Sequence, residues 1–149
     1  IAWLLLIVLI AWNKEKFQPK PKIQLKSIID TVVPINGDLN ITLTYTDKEG
    51  DISDTLFIKK ERLNKTVVAT IRDSIKYKIP DFPNYDKGEI GLALDYENNL
   101  KSAITPPPIP GSNPSKPQPD TLNIKIWIHD KAGNVSDTVS TGQVVIIRD

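Results

Sequence analysis

The chain has no cysteine among its 149 residues and a single histidine, His129. Without thiols there can be no disulfide framework, thiolate nucleophile or cysteine-bound zinc site, so stability must come from packing. One histidine, with no G-x-S-x-G elbow and no phosphate-cradling glycine loop, leaves no evident nucleophile and base pair, and the expectation is a protein that is not an enzyme. Net charge is also scarce, with 19 Lys and Arg against 18 Asp and Glu. A field that weak gives nucleic acid nothing to follow, and it is excluded as a partner.

What the chain does have is alternation. Leu122, Ile124, Ile126 and Ile128 interleave with Asn123, Lys125, Trp127 and His129, the period of a strand with one buried face. Asp130 to Asn134 then supplies a glycine-containing turn, and the stretch from Thr138 to Ile147 returns as its partner in a terminal hairpin. Leu39, Ile41, Leu43 and Tyr45 repeat the pattern, as do Ile90, Leu92 and Leu94 in the strand expected from Glu89 to Tyr96. Further strands are expected at Ile23 to Ile29, with Ile23 and Leu25 inward, and at Thr55 to Glu61, Val67 to Ile71 and Ile75 to Ile79. Gly91 and Ala93 suggest that another chain segment lies close by. Phe82 and Tyr85, in a proline-containing loop, are expected to cap an open end of the core. About eight short strands in one domain predict an all-β fold of two packed sheets.

Residues 1–12, IAWLLLIVLIAW, are apolar throughout. As a helix they would be about 18 Å long, too short for a hydrocarbon layer of about 30 Å, which fits the h-region of an export signal or an apolar anchor. Residues 13–22 follow as a Lys/Pro tether in an extended, solvated form. Residues 23–149 form the folded domain.

Two stretches attract functional readings. Asp47, Glu49, Asp51 and Asp54 crowd around Gly50, and hard oxygen ligands at that spacing suit Ca²⁺; a solvent-facing turn between two strands is the alternative. The proline-rich loop at residues 105–119 cannot supply ladder donors, so it is expected outside the sandwich. It is either a disordered insertion or a protruding arm, with Pro106, Pro107, Pro108, Ile109 and Pro110 as its partner contacts.

Several of these motifs are familiar. Leu9, Ile10 and Ala11 resemble the lipobox of bacterial lipoproteins, although Trp12 stands where the lipid-bearing cysteine is expected. TYTDKEGDISDTLFI resembles a segment of small cell-envelope lipoproteins of Bacteroidetes, and IWIHDKAGNVSDTV resembles the closing hairpin of immunoglobulin-like and fibronectin type III-like domains. The resemblance implies an immunoglobulin-like antiparallel β-sandwich at the cell envelope, associated with the outer membrane through its N-terminal segment. The expected function is a non-catalytic binding or structural module, an accessory subunit of an outer-membrane assembly with an envelope protein as partner. The alternative is a Ca²⁺-stabilised adhesion or glycan-binding domain.

Overall fold

The computed structural model describes residues 20–149, and the expectations for the export segment, for Trp12 and for most of the tether fall outside them. Among the described residues eight strands make up the fold: β1 (Lys22–Ile29), β2 (Val32–Val33), β3 (Asp38–Thr46), β4 (Thr55–Arg62), β5 (Ser74–Lys78), β6 (Lys87–Asp95), β7 (Asp120–His129) and β8 (Val139–Ile146). They form two sheets, one ordered β1-β3-β6 and the other β2-β8-β7-β4-β5. The chain is an all-β sandwich, as its alternation predicts.

The core is the inward half of each alternating strand. Leu39, Ile41, Leu43 and Tyr45 of β3 are buried, as are Leu122, Ile124, Ile126 and Ile128 of β7. Leu56 and Ile58 of β4 and Val144 and Ile146 of β8 complete the larger sheet's inner face. Each such side chain contributes roughly 1.5–3 kcal/mol when withdrawn from water. A one-residue slip would turn all of them outward, so burial fixes the register.

The terminal hairpin is present, with β7 antiparallel to β8 and a register irregularity between Asn123 and Lys125. Three features differ from the sequence expectations. The segment from Val67 to Ile71 forms no strand, only one bridge from Thr70 to Ala103, and Val67 is 95% exposed. Its apolar residues have no sheet edge to join, because β5 already occupies the edge beside β4. Second, Val32 and Val33 pair parallel to β8, a two-residue strand too short to show a period. Third, Leu25 lies opposite the buried Leu43 yet is 36% exposed, because β1 is an edge strand with a bulge between Leu25 and Ser27.

After β6 the chain makes one wide helical turn, Tyr96–Leu100, closed by the Lys101 N–H donating to the Tyr96 carbonyl at 3.1 Å. The Asp95 carboxylate caps its start by accepting from the Asn98 N–H at 2.7 Å. The chain leading into the proline-rich loop lies in the core, with Leu100, Ser102 and Ala103 buried, while the loop itself, residues 105–119, contains no buried residue. The loop folds on itself as a narrow finger. Pro108 bridges Pro117, the Ile109 N–H donates to the Lys116 carbonyl at 2.7 Å, and the Gln118 N–H donates to the Pro107 carbonyl at 2.7 Å. The prolines supply acceptors, and the few residues with an N–H between them supply the donors. Among the described residues no helix is long and apolar enough to cross a membrane.

Candidate functional site

The acidic loop lies between β3 and β4. Gly50 has φ +67°, a conformation that favours glycine, and a Cβ there would meet Asn84 Cβ at 3.1 Å. This sharp turn, closed by the Gly50 N–H donating to the Asp47 carbonyl at 3.1 Å, folds the loop back over Asp47. The Asp47 carboxylate accepts from the backbone N–H groups of Glu49 at 3.3 Å and Asp51 at 3.0 Å. Asp47 and Asp51 therefore converge, whereas Glu49 is exposed and Asp54 lies at the entry to β4, both outside the cluster.

The third member is Asp130, from the turn between β7 and β8. Because Thr55 of β4 pairs with His129 of β7, the two loops emerge side by side. The Lys131 N–H donates to the Asp51 carbonyl at 3.0 Å and joins them. Asp130 accepts from the backbone N–H of Asn134 at 2.7 Å and from its side-chain amide at 2.8 Å. Ligand oxygens of Asp47, Asp51 and Asp130 all lie within 4.8 Å of one another. Sequence reasoning marked the D-K-A-G-N stretch as a turn and missed the role of Asp130. Pairing between β4 and β7 was the missing link.

Asp47 and Asp130 are each only 2% exposed, and the Asp51 Oδ1 atom is buried with no hydrogen-bond donor. None of the ion pairs formed among the described residues reaches these three carboxylates. Burial pushes the Asp51 carboxyl above its ordinary value, and the hydrogen bond with Asp47 and the charges of Asp130 and Asp47 push it the same way. Gathered anions without a counter-charge favour either a bound proton or a bound cation. Three carboxylates offer up to six of the six to eight oxygens that Ca²⁺ takes, so the donor set fits a hard cation.

A second cluster is structural. Asp120, fully buried at the start of β7, pairs with Arg62 at the end of β4 and with Arg148 in the C-terminal segment. Its carboxylate also accepts from the backbone N–H groups of Ser102 at 2.9 Å and Ala103 at 3.2 Å. Burial alone would raise its pKa, but the Ser102 N–H, the two guanidinium groups and the Ala103 N–H outweigh it and hold the carboxyl below its ordinary value. Nearby, burial lowers the Lys60 ammonium to about 8, and it donates to the Lys101 carbonyl at 2.6 Å. The charges of this cluster balance in the interior, although Arg62 Nε, one of its terminal nitrogens and Arg148 Nε are buried without a hydrogen-bond partner.

His129 faces outward, as its place in the alternation predicts, with its ring 4.4 Å from Phe57. Phe57 in turn stacks on Trp127 at 5.4 Å, a cross-strand pair on the outer face of the larger sheet. Phe82 packs against the core beside Tyr45 at 6.1 Å, while Tyr85 is 59% exposed and caps nothing.

No family model, no curated protein and no solved structure matches this chain.

Proposed function

We propose that the chain is a non-catalytic binding module of the bacterial cell envelope, held there by its apolar N-terminal segment and presenting the proline-rich finger to a protein partner. The finger's internal bonding carries this reading. A plain connection between β6 and β7 needs no bonds of its own, yet three backbone hydrogen bonds and the Ser112 hydroxyl, which donates to the Ile109 carbonyl at 2.8 Å, brace this one. Bracing keeps Ile109 and Pro110 exposed at the tip in a fixed shape, so little ordering entropy is lost when a partner engages them. The lipobox-like Leu9, Ile10 and Ala11 support the envelope address, and the same resemblance supports the role of an accessory subunit in an outer-membrane assembly. A photo-crosslinking residue at Ile109, in native envelope, should yield one discrete protein adduct, and the same probe at Val67 should not. Equal labelling from both positions would rule out the finger as the contact.

A second reading is favoured by the buried carboxylates: a Ca²⁺-stabilised adhesion domain. The cation would join the β3–β4 loop to the β7–β8 turn through Asp47, Asp51 and Asp130. Titration calorimetry should then give saturable heat with Ca²⁺ that disappears in Asp130→Asn and survives in Glu49→Gln. Heat that persists in Asp130→Asn would remove this site.

A further inference from the structure

Four strands lie at sheet edges, and three of them are bulged or short, features that hinder pairing with another chain. β1 has a bulge and exposed lysines at Lys22 and Lys26. β2 is two residues long, and β5 is five residues long with Lys76 and Lys78 pointing outward. β6 is the exception. It spans nine residues, pairs with β3 along its whole length without a register shift, and contains neither proline nor a bulge. Along its free edge, backbone N–H and C=O groups have no ladder partner among the described residues.

That edge is also open. On the outer face of the strand, a Cβ built at Gly91 meets nothing within 4 Å. Beside it, between β6 and β5, a cleft of about 260 Å³ is lined by Leu56, Tyr77, Ile79, Ile90 and Leu92. Ile90 and Leu92 face the sandwich interior yet remain only half-buried, because no further strand covers them from the side. The sheet ends one strand short of closing its own core.

The sequence of β6, KGEIGLALD, is complementary to itself. Antiparallel pairing of two copies about Gly91 sets Lys87 opposite the partner's Asp95, at both ends. It also sets Ile90 opposite the partner's Leu92 and Gly91 opposite the partner's Gly91. Shifting the centre to Leu92 would set Glu89 against the partner's Asp95, two like charges, and shifting it to Ile90 would leave Asp95 opposite a residue outside the strand. One register alone satisfies both the charges and the inward apolar face.

We infer that β6 is a self-association edge, through which two copies of this chain pair antiparallel about Gly91 into a continuous six-stranded sheet. The two-fold axis passes through Gly91, and the same patch serves both subunits. The partner's Leu92 comes to rest beside Ile90 over the lateral cleft. This inference goes beyond the binding-module reading and does not depend on where the protein resides.

The test is the oligomeric state of the full chain in detergent micelles, measured by sedimentation across a concentration series. Wild type should pass reversibly from monomer to dimer. Gly91→Lys, which meets no neighbour within the subunit but opposes two ammonium groups across the axis, should weaken association about tenfold or more while leaving the melting transition in place. Lys87→Asp and Asp95→Lys should each fail to self-associate yet pair with one another when mixed. Because Asp95 also caps the following helical turn, circular dichroism must show that its variant is folded; the Gly91→Lys comparison stands independently of it. A wild type that is monomeric throughout, or a dimer that Gly91→Lys leaves intact, would overturn the inference, and the latter would assign association to another surface.

Discussion

At the scale of single residues, Asp120 is where stability is most concentrated. Removing it leaves Arg62 and Arg148 buried without their counter-charge, and breaking a buried ion pair costs about 3–5 kcal/mol. Asp120→Ala should therefore lower the denaturation midpoint sharply. Because the folded-state pKa of Asp120 is depressed, its contribution is complete above the unfolded carboxyl value of about 3.9 and is lost as pH falls through the folded value. Lys60 acts in another window. Its ammonium titrates at about 8 when folded, below its unfolded value, so the folded state gives up its proton first and stability should rise as pH climbs from about 8 towards about 10.4. Lys60→Met should flatten that rise and add roughly 1 kcal/mol at neutral pH, measured by denaturant titration at both pH values. Neither role was legible in the sequence. Asp-Thr at the head of β7 looks like ordinary turn chemistry, and the two arginines lie 58 and 28 residues away. Inward-facing Lys60 interrupts an apolar face without announcing a partner.

Among the elements, strands with four inward apolar residues could be read directly, since β3 and β7 each repeat the period long enough to separate it from a helix. Shorter elements could not. The Val32–Val33 pair has no period to display, and the valines and isoleucine between Val67 and Ile71 promise a strand for which no edge was free. The acidic loop was half legible: Asp47 and Asp51 stand out by spacing, but Asp130 joins them only through the pairing of β4 with β7. The finger is an element in its own right, and its bonds are internal. Replacing Pro107 to Gln118 with a short Gly-Ser linker should shift stability by less than about 1 kcal/mol, since loop closure varies slowly with length. A large loss of cooperativity in thermal melting would show that the finger braces the sheet. The segment from Leu100 to Ala103 must be spared in that design, because it lies in the core and feeds Asp120 its backbone donors.

For the whole molecule, the core formed by the described residues draws on every strand. Residues 20–149 should accordingly melt cooperatively with a β-type circular dichroism spectrum when expressed without the preceding segment. Sheet pairs joining distant parts of the chain, such as β3 with β6 and β4 with β7, also predict folding in milliseconds to seconds, slower than for a helical bundle of similar size. The small parallel pair of β2 and β8 bears on mechanics. If the chain is tethered at its amino end and pulled at its carboxyl end, these two strands slide past each other along their axes, so their hydrogen bonds strain together instead of opening one at a time. The Val145 N–H on the Thr31 carbonyl at 2.8 Å and the Ile147 N–H on the Val33 carbonyl at 2.9 Å form that contact, and the Tyr96 hydroxyl on the Ile147 carbonyl at 2.9 Å ties its far end to the helical turn. Two valines, the shortest strand in the fold, thus make a clasp that resists tension applied end to end.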